Sequence, residues 1–139
     1  MRRLLTAAVT LLATLTLSCN QDDAAQNVTA PTTTGSTSVF SGSIVTGGTA
    51  TRSFEAALTG TATATFDFLE QGGVPLQLGI GIPRVNNTGC FLSRAVTVTP
   101  GPGSALSMAV EPGTFCVQLA DTSGQIARVA AFRVTITAP

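Results

Sequence analysis

From residue 39 to residue 137 the chain alternates apolar and polar positions with a period of two, and turn residues break the pattern every 8–12 positions. Alternation of this kind predicts half-buried strands, and the even spacing of the turns predicts an all-β sandwich or barrel. The clearest segment is Thr61 to Leu69, where Ala62, Ala64, Phe66 and Phe68 alternate with Thr61, Thr63, Thr65 and Asp67. One face is apolar and the other wet, as a half-buried antiparallel strand requires. Val74 to Ile82 follows, with Val74, Leu76, Leu78, Ile80 and Ile82 on one face. Gly79 and Gly81 lie on its other face, which predicts a close backbone approach or a bulge there. Val39 to Val45, Thr51 to Leu58, Arg94 to Thr99 and Ala105 to Val110 are further strands. In Thr114 to Ala120 the alternation turns Phe115, Val117 and Leu119 inward and leaves Cys116 on the outer face. Arg128 to Thr137 closes the set, with Phe132, Val134 and Ile136 inward and Arg133 and Thr135 outward. Residues 83–93 lack the alternation and are expected to form an irregular loop containing Cys90. The sum is a single antiparallel β-sandwich of about eight strands over residues 39–139.

The first 38 residues follow a different pattern. Met1-Arg2-Arg3 is a basic start, Leu4 to Leu17 is an apolar, Thr-rich run, and Leu15-Thr16-Leu17-Ser18-Cys19 ends it with a small residue before a cysteine. A charged start, a short apolar core and small residues at the break are the parts of a secretory signal. The apolar run is short of the ~20 residues that a transmembrane helix needs. Ser18-Cys19 resembles the lipobox of bacterial lipoproteins, with Thr16 standing where Leu is commonest. That resemblance implies a signal peptide over 1–18, cleavage before Cys19, and acylation of the Cys19 thiol. Two or more acyl chains anchor a protein stably, whereas one does so only marginally. Asn20 follows the cysteine, where lipoproteins of this type kept at the inner membrane tend to have Asp, so the resemblance implies the outer membrane of a cell envelope, on its periplasmic or surface side.

Residues 19–38 are expected to be the lipidated cysteine and a disordered linker. Gln21 to Asn27 is polar, and Thr29 to Thr37 is low in complexity. Such a stretch buries too little apolar surface to offset its ordering entropy. A flexible segment of this length has a root-mean-square reach of roughly 20–25 Å. The expected organisation is therefore signal 1–18, tether 19–38 and sandwich 39–139.

Composition narrows the chemistry. The chain has no His, no Trp, no Tyr and no Lys, and Phe is its only aromatic residue. Without Arg2 and Arg3, five basic residues face seven acidic ones, a net charge of −2. There is no basic footprint for nucleic acid and no polybasic patch for anionic lipid. Without His, the usual general base and the commonest metal ligand are both missing. Without Lys, Schiff-base chemistry and Ser-Lys dyads are excluded. Three cysteines are present. With Cys19 taken by lipid, Cys90 and Cys116 remain as an even pair in an oxidising compartment, where a disulfide is the default.

Phe40-Ser41-Gly42-Ser43-Ile44, Thr61 to Phe68, Glu111 to Leu119 and Phe132 to Ile136 occur in an order that resembles the bacterial pre-peptidase C-terminal (PPC-like) domain. The resemblance spans residues 39–137 and implies a jelly-roll-like sandwich. Domains of that family typically accompany secreted enzymes. Phe115 and Phe132 stand where the family favours Tyr.

Acidic residues are the only candidates for catalysis or metal binding. Asp67, Glu70 and Asp121 fall at strand ends, but no calcium-loop spacing accompanies them, so they are expected on solvated surface. Gly79-Ile80-Gly81 lacks the third glycine and the following helix of a phosphate-binding loop and is expected to be strand. Arg84 and Arg94 flank the cysteine loop as surface charges. No catalytic residue, cofactor site or metal site is expected. The leading expectation is a non-enzymatic, lipid-anchored binding or structural module of the cell envelope. Its expected partners are the membrane, through Cys19, and an envelope protein; no nucleic acid is expected, and the chain names no small-molecule ligand. The alternative is a secreted accessory module that binds glycan or calcium.

Overall fold

The computed structural model of the protein describes residues 35–139. The expected signal, Cys19 and most of the expected tether lie outside the described residues. Eight strands follow one another: β1 (Ser36–Ile44), β2 (Thr49–Ala56), β3 (Gly60–Leu69), β4 (Leu76–Pro83), β5 (Cys90–Val98), β6 (Ala105–Val110), β7 (Gly113–Ala120) and β8 (Ala130–Ala138). A 3₁₀ turn at Val85–Asn87 is the one helical element among the described residues. The all-β sandwich is thus the observed fold class.

The strands form two antiparallel sheets of four, ordered β1-β8-β3-β6 and β2-β7-β4-β5. The first is called sheet A and the second sheet B. The pairs β1 with β8, β2 with β7, β3 with β6 and β4 with β5 make the chain one long hairpin whose arms are rolled into a barrel-like wrap. This is jelly-roll order, and it leaves four edge strands: β1, β6, β2 and β5.

Period-two burial explains why these segments pair. Along β8, Ala130, Phe132, Val134, Ile136 and Ala138 are buried while Ala131, Arg133 and Thr137 are exposed. Across the interface, Leu76, Leu78 and Ile80 of β4 and Val117 and Leu119 of β7 complete the core with Phe66 of β3. Phe40 and Phe132 meet edge to face, with ring centroids 5.0 Å apart, and Phe54 stacks on Phe115. Such inner faces bury most of the apolar area that drives folding.

Several sequence expectations need correction. β1 begins at Ser36, pairing with Ala138, so three residues assigned to the tether belong to the sheet. Phe68 is exposed, because the register of β3 on β8 shifts between Phe66 and Phe68. Asp67 is the extra residue, and a bulge of one residue turns every later side chain over. Leu69 takes the inward place instead. Leu58 and Ile82 are exposed although they continue buried faces, because each lies past the end of the core. Cys90 is the first residue of β5 and not part of an irregular loop. Ile126, in the β7–β8 connection, is fully buried without any alternation to announce it.

Candidate functional site

Two constructions on the sandwich involve the residues singled out above. The first is the disulfide. Cys90 and Cys116 are bonded, with their Cα atoms 6.0 Å apart. Cys116 sits between the core residues Phe115 and Val117, so it faces away from the core, and it is nonetheless fully buried. Gly81 of β4 pairs with Cys116 on one side and with Leu92 of β5 on the other. β5 and β7 are therefore separated by β4, and strands two places apart in a sheet are ordinarily about 9–10 Å apart.

Gly81 closes that gap. The ladder between β4 and β5 shifts register between Ile80 and Gly81. A Cβ on Gly81 would lie 1.8 Å from the Phe91 carbonyl oxygen. The start of β5 thus crosses over the bare backbone of Gly81 and brings Cys90 within bonding reach of Cys116. Gly79 serves a milder purpose, since a Cβ there would meet the Leu92 side chain at 2.6 Å. Both glycines are strand residues, and both admit a close neighbour. The bridge staples β5 to β7 across β4.

The second construction is centred on Asp121, just after β7. It is buried, in contrast to the solvated place expected for it. Oδ2 accepts the amides of Gly47 and Ile126, each at 3.0 Å, and Oδ1 accepts the Gln125 amide at 3.0 Å. The Ser123 hydroxyl donates to Oδ1 at 3.5 Å. Burial alone raises this carboxyl's pKa. The amides of Ile126, Gly47, Gln125 and Gly124 favour the charged form and outweigh it, so the pKa falls below the ordinary 3.8. Gly47 makes its amide available from a left-handed conformation, φ 65°, in the β1–β2 turn. Thr46 also donates its hydroxyl to the Ile126 carbonyl. Asp121 is a clamp between the β1–β2 turn and the β7–β8 connection.

The other acidic candidates are similarly engaged. Asp67 Oδ2 accepts the Thr135 hydroxyl at 2.6 Å, and Glu70 Oε2 accepts the Ala131 amide at 3.1 Å. Among the described residues no three of His, Cys, Asp and Glu come together as a metal site, and no cavity opens for a ligand. Arg94 donates to the Ser107 carbonyl at 2.9 Å and so bridges the β5 and β6 edges. Arg84 lies over the Phe91 ring, its guanidinium carbon 4.6 Å from the centroid.

The outer faces are rich in hydroxyls. On sheet A, Thr37, Thr137, Thr63 and Ser107 fall in one row across four strands. The Thr63 and Ser107 hydroxyls are 2.8 Å apart. Sequence reasoning found both cysteines and the outward direction of Cys116. It missed the Asp121 clamp, for which the only signal is an Asp opening a Thr-Ser-Gly turn after a buried strand.

No protein-family model matches the chain, and no curated protein matches it in sequence. Among solved structures it is similar to the Yersinia pseudotuberculosis-derived mitogen (YPM). That likeness has a TM-score of 0.52 at 10% identity and covers 76% of this chain and 87% of the mitogen. It shows a shared β-sandwich fold.

Proposed function

We propose that this chain is a non-enzymatic, lipid-anchored β-sandwich that serves as a binding or structural module on the outer membrane of a bacterial envelope. The carrying observation is the allocation of its cysteines. Two of the three are joined across β4, which suits an oxidising compartment. The third, Cys19, follows an apolar run and a small residue in the manner of a lipobox. The resemblance to PPC-like domains belongs to the same reading, as an accessory sandwich. The acidic groups of the domain support it too, since Asp67, Glu70 and Asp121 are occupied by hydrogen bonds within the fold. Recognition then falls to the outer faces and loop ends, by an envelope partner that reads shape and hydroxyls.

The test is chemical. Mass spectrometry of the N-terminal peptide from the native protein is expected to show acylated Cys19. A Cys19→Ala variant is expected to lose incorporated fatty acid and to leave the membrane fraction. An unmodified Cys19, or a mature chain that starts elsewhere, would end this reading.

A further inference from the structure

The sandwich has two unlike ends. At one end lie the start of β1 at Ser36, the β2–β3, β4–β5 and β6–β7 connections, and Pro139, whose carbonyl accepts the amides of Ala57 and Leu58. At the other lie the β1–β2, β3–β4 and β7–β8 connections with the Asp121 clamp. The chain that leads back to Cys19 therefore enters at the first end, only 17 residues after that cysteine.

This same end carries the exposed apolar side chains of the β4–β5 connection. Ile82 is 56% exposed, Val85 83% and Phe91 61%, and Ile82 and Phe91 are paired across the ladder. Leu58, also at this end, is 45% exposed. Arg84 lies along the Phe91 ring and has no acidic partner within ion-pairing distance among the described residues. Glu55 and Glu111 stand at the same end, so the charge there is not cationic. Glu55 accepts the Thr114 hydroxyl on the flank of sheet B.

We infer that the Ile82–Val85–Phe91 tip rests on the lipid surface that holds Cys19. This rests on the lipoprotein reading above. An interfacial contact buries apolar side chains at the headgroup boundary, and a long cation keeps its charge at the phosphates while its stem stays apolar. Three or four side chains bind a bilayer weakly when free. A tether converts that step into an intramolecular one with a high effective concentration. Seventeen residues as loose as the sequence leads one to expect reach roughly 20–25 Å, less than the ~30 Å length of a nine-residue strand. The entering end is therefore the end kept near the bilayer: it carries Leu58, Ile82, Val85 and Phe91, whereas the exposed Val45, Phe68 and Val129 lie at the far end, beyond the tether's reach. With Glu55 and Glu111 at the same end as Arg84, the contact is apolar rather than electrostatic and does not depend on anionic lipid.

The chain has no Trp, so a single introduced one reports its own place. The whole chain, expressed with its N-terminal segment in a bacterium, carries Phe91→Trp, and separately Val85→Trp, and the purified product is placed in phosphatidylethanolamine/phosphatidylglycerol vesicles. Val129→Trp, at the opposite end and 59% exposed, is the comparison. Emission from the two tip positions is expected to shift to shorter wavelength and to be quenched by lipids brominated along the acyl chain, in vesicles with and without phosphatidylglycerol. Emission from Val129→Trp is expected to stay at its water value. Water-like, unquenched emission at both tip positions overturns the proposal, and so does a shift that tracks protein concentration without lipid quenching, which would mean a second copy covers the tip. Mass analysis of Cys19 in the same sample separates the two readings. An acylated cysteine with an unquenched tip removes the tip contact alone, and an unacylated cysteine removes the anchor.

Discussion

Adding one methyl group at Gly81 tests the account of the disulfide. An ideal Cβ there lies 1.8 Å from the Phe91 carbonyl oxygen, 2.7 Å from its carbon and 2.8 Å from the Leu92 Cα. Carbon and carbonyl oxygen ordinarily approach no closer than about 3.3 Å. The start of β5 must therefore retreat by about 1.5 Å, and the obstructing atoms are backbone, which cannot rotate aside. That retreat draws Cys90 away from Cys116. Overpacking of this kind costs about 1–3 kcal/mol. Losing the cross-link costs about 3.5 kcal/mol more on the chain-entropy model, for cysteines 26 positions apart. The combined loss of about 5 kcal/mol is comparable with the whole stability of many small domains. Gly81→Ala is expected to leave two thiols open to alkylation and to lower Tm by about 20 °C or more in calorimetry. Gly79→Ala is the control. Its Cβ meets the tip of Leu92, a side chain that can move, so the bond is expected to persist and Leu92→Ala to relieve the cost. A Gly81→Ala protein with its disulfide intact and a near-native Tm would refute the crossing of β5 over bare backbone.

Two more outcomes follow from the same geometry. Reducing the native protein with a phosphine is expected to lower Tm by about 15 °C while the β-type far-ultraviolet spectrum persists, because the bridge lies outside the core; an unchanged Tm counts against the bond. Asp121 titrates below its ordinary value, so its stabilisation is fully present above pH 3.8 and is lost as pH falls through the folded-state pKa. Asp121→Asn is expected to lower Tm at neutral pH and to flatten the acid limb of the Tm profile below about pH 4, and an acid limb of native slope in that variant would show that the clamp contributes nothing.

How far the sequence carried depends on what each residue does. Alternation predicted β8 correctly because its inner row is apolar and its outer row is not, as the burial of Phe132, Val134 and Ile136 shows. It failed at Phe68 because the bulge at Asp67 adds one residue, and nothing in Thr-Phe-Asp-Phe-Leu marks where a ladder slips. It overestimated Ile82 and Leu58 because period two gives a face but not a depth, and both lie beyond the sandwich core. The cysteine pair was legible from parity and compartment. Its place on β5 was not, because the crossing depends on a missing side chain on another strand. Asp121 was hidden for a related reason. An Asp in a Thr-Ser-Gly context signals a turn, and only the arrival of the β1–β2 turn makes its carboxylate buried.

The two locks also explain how a domain with so few charges holds its connections. An eight-stranded roll has connections at both ends, and connections carry backbone groups that no ladder satisfies. At one end the answer is covalent: Cys90–Cys116 ties β5 to β7, and the Pro139 carbonyl takes up the Ala57 and Leu58 amides. At the other it is a single carboxylate that gathers three amides from two connections. One buried charge there does what several surface ion pairs would do less well, since each of its bonds is charge-assisted and shielded from water. The middle of the body needs neither, because it is closed by apolar inner faces and hydroxyl-bearing outer rows. Surface ion pairs are thus not what joins the connections, and the end where the chain enters can carry exposed apolar side chains without weakening the core behind them.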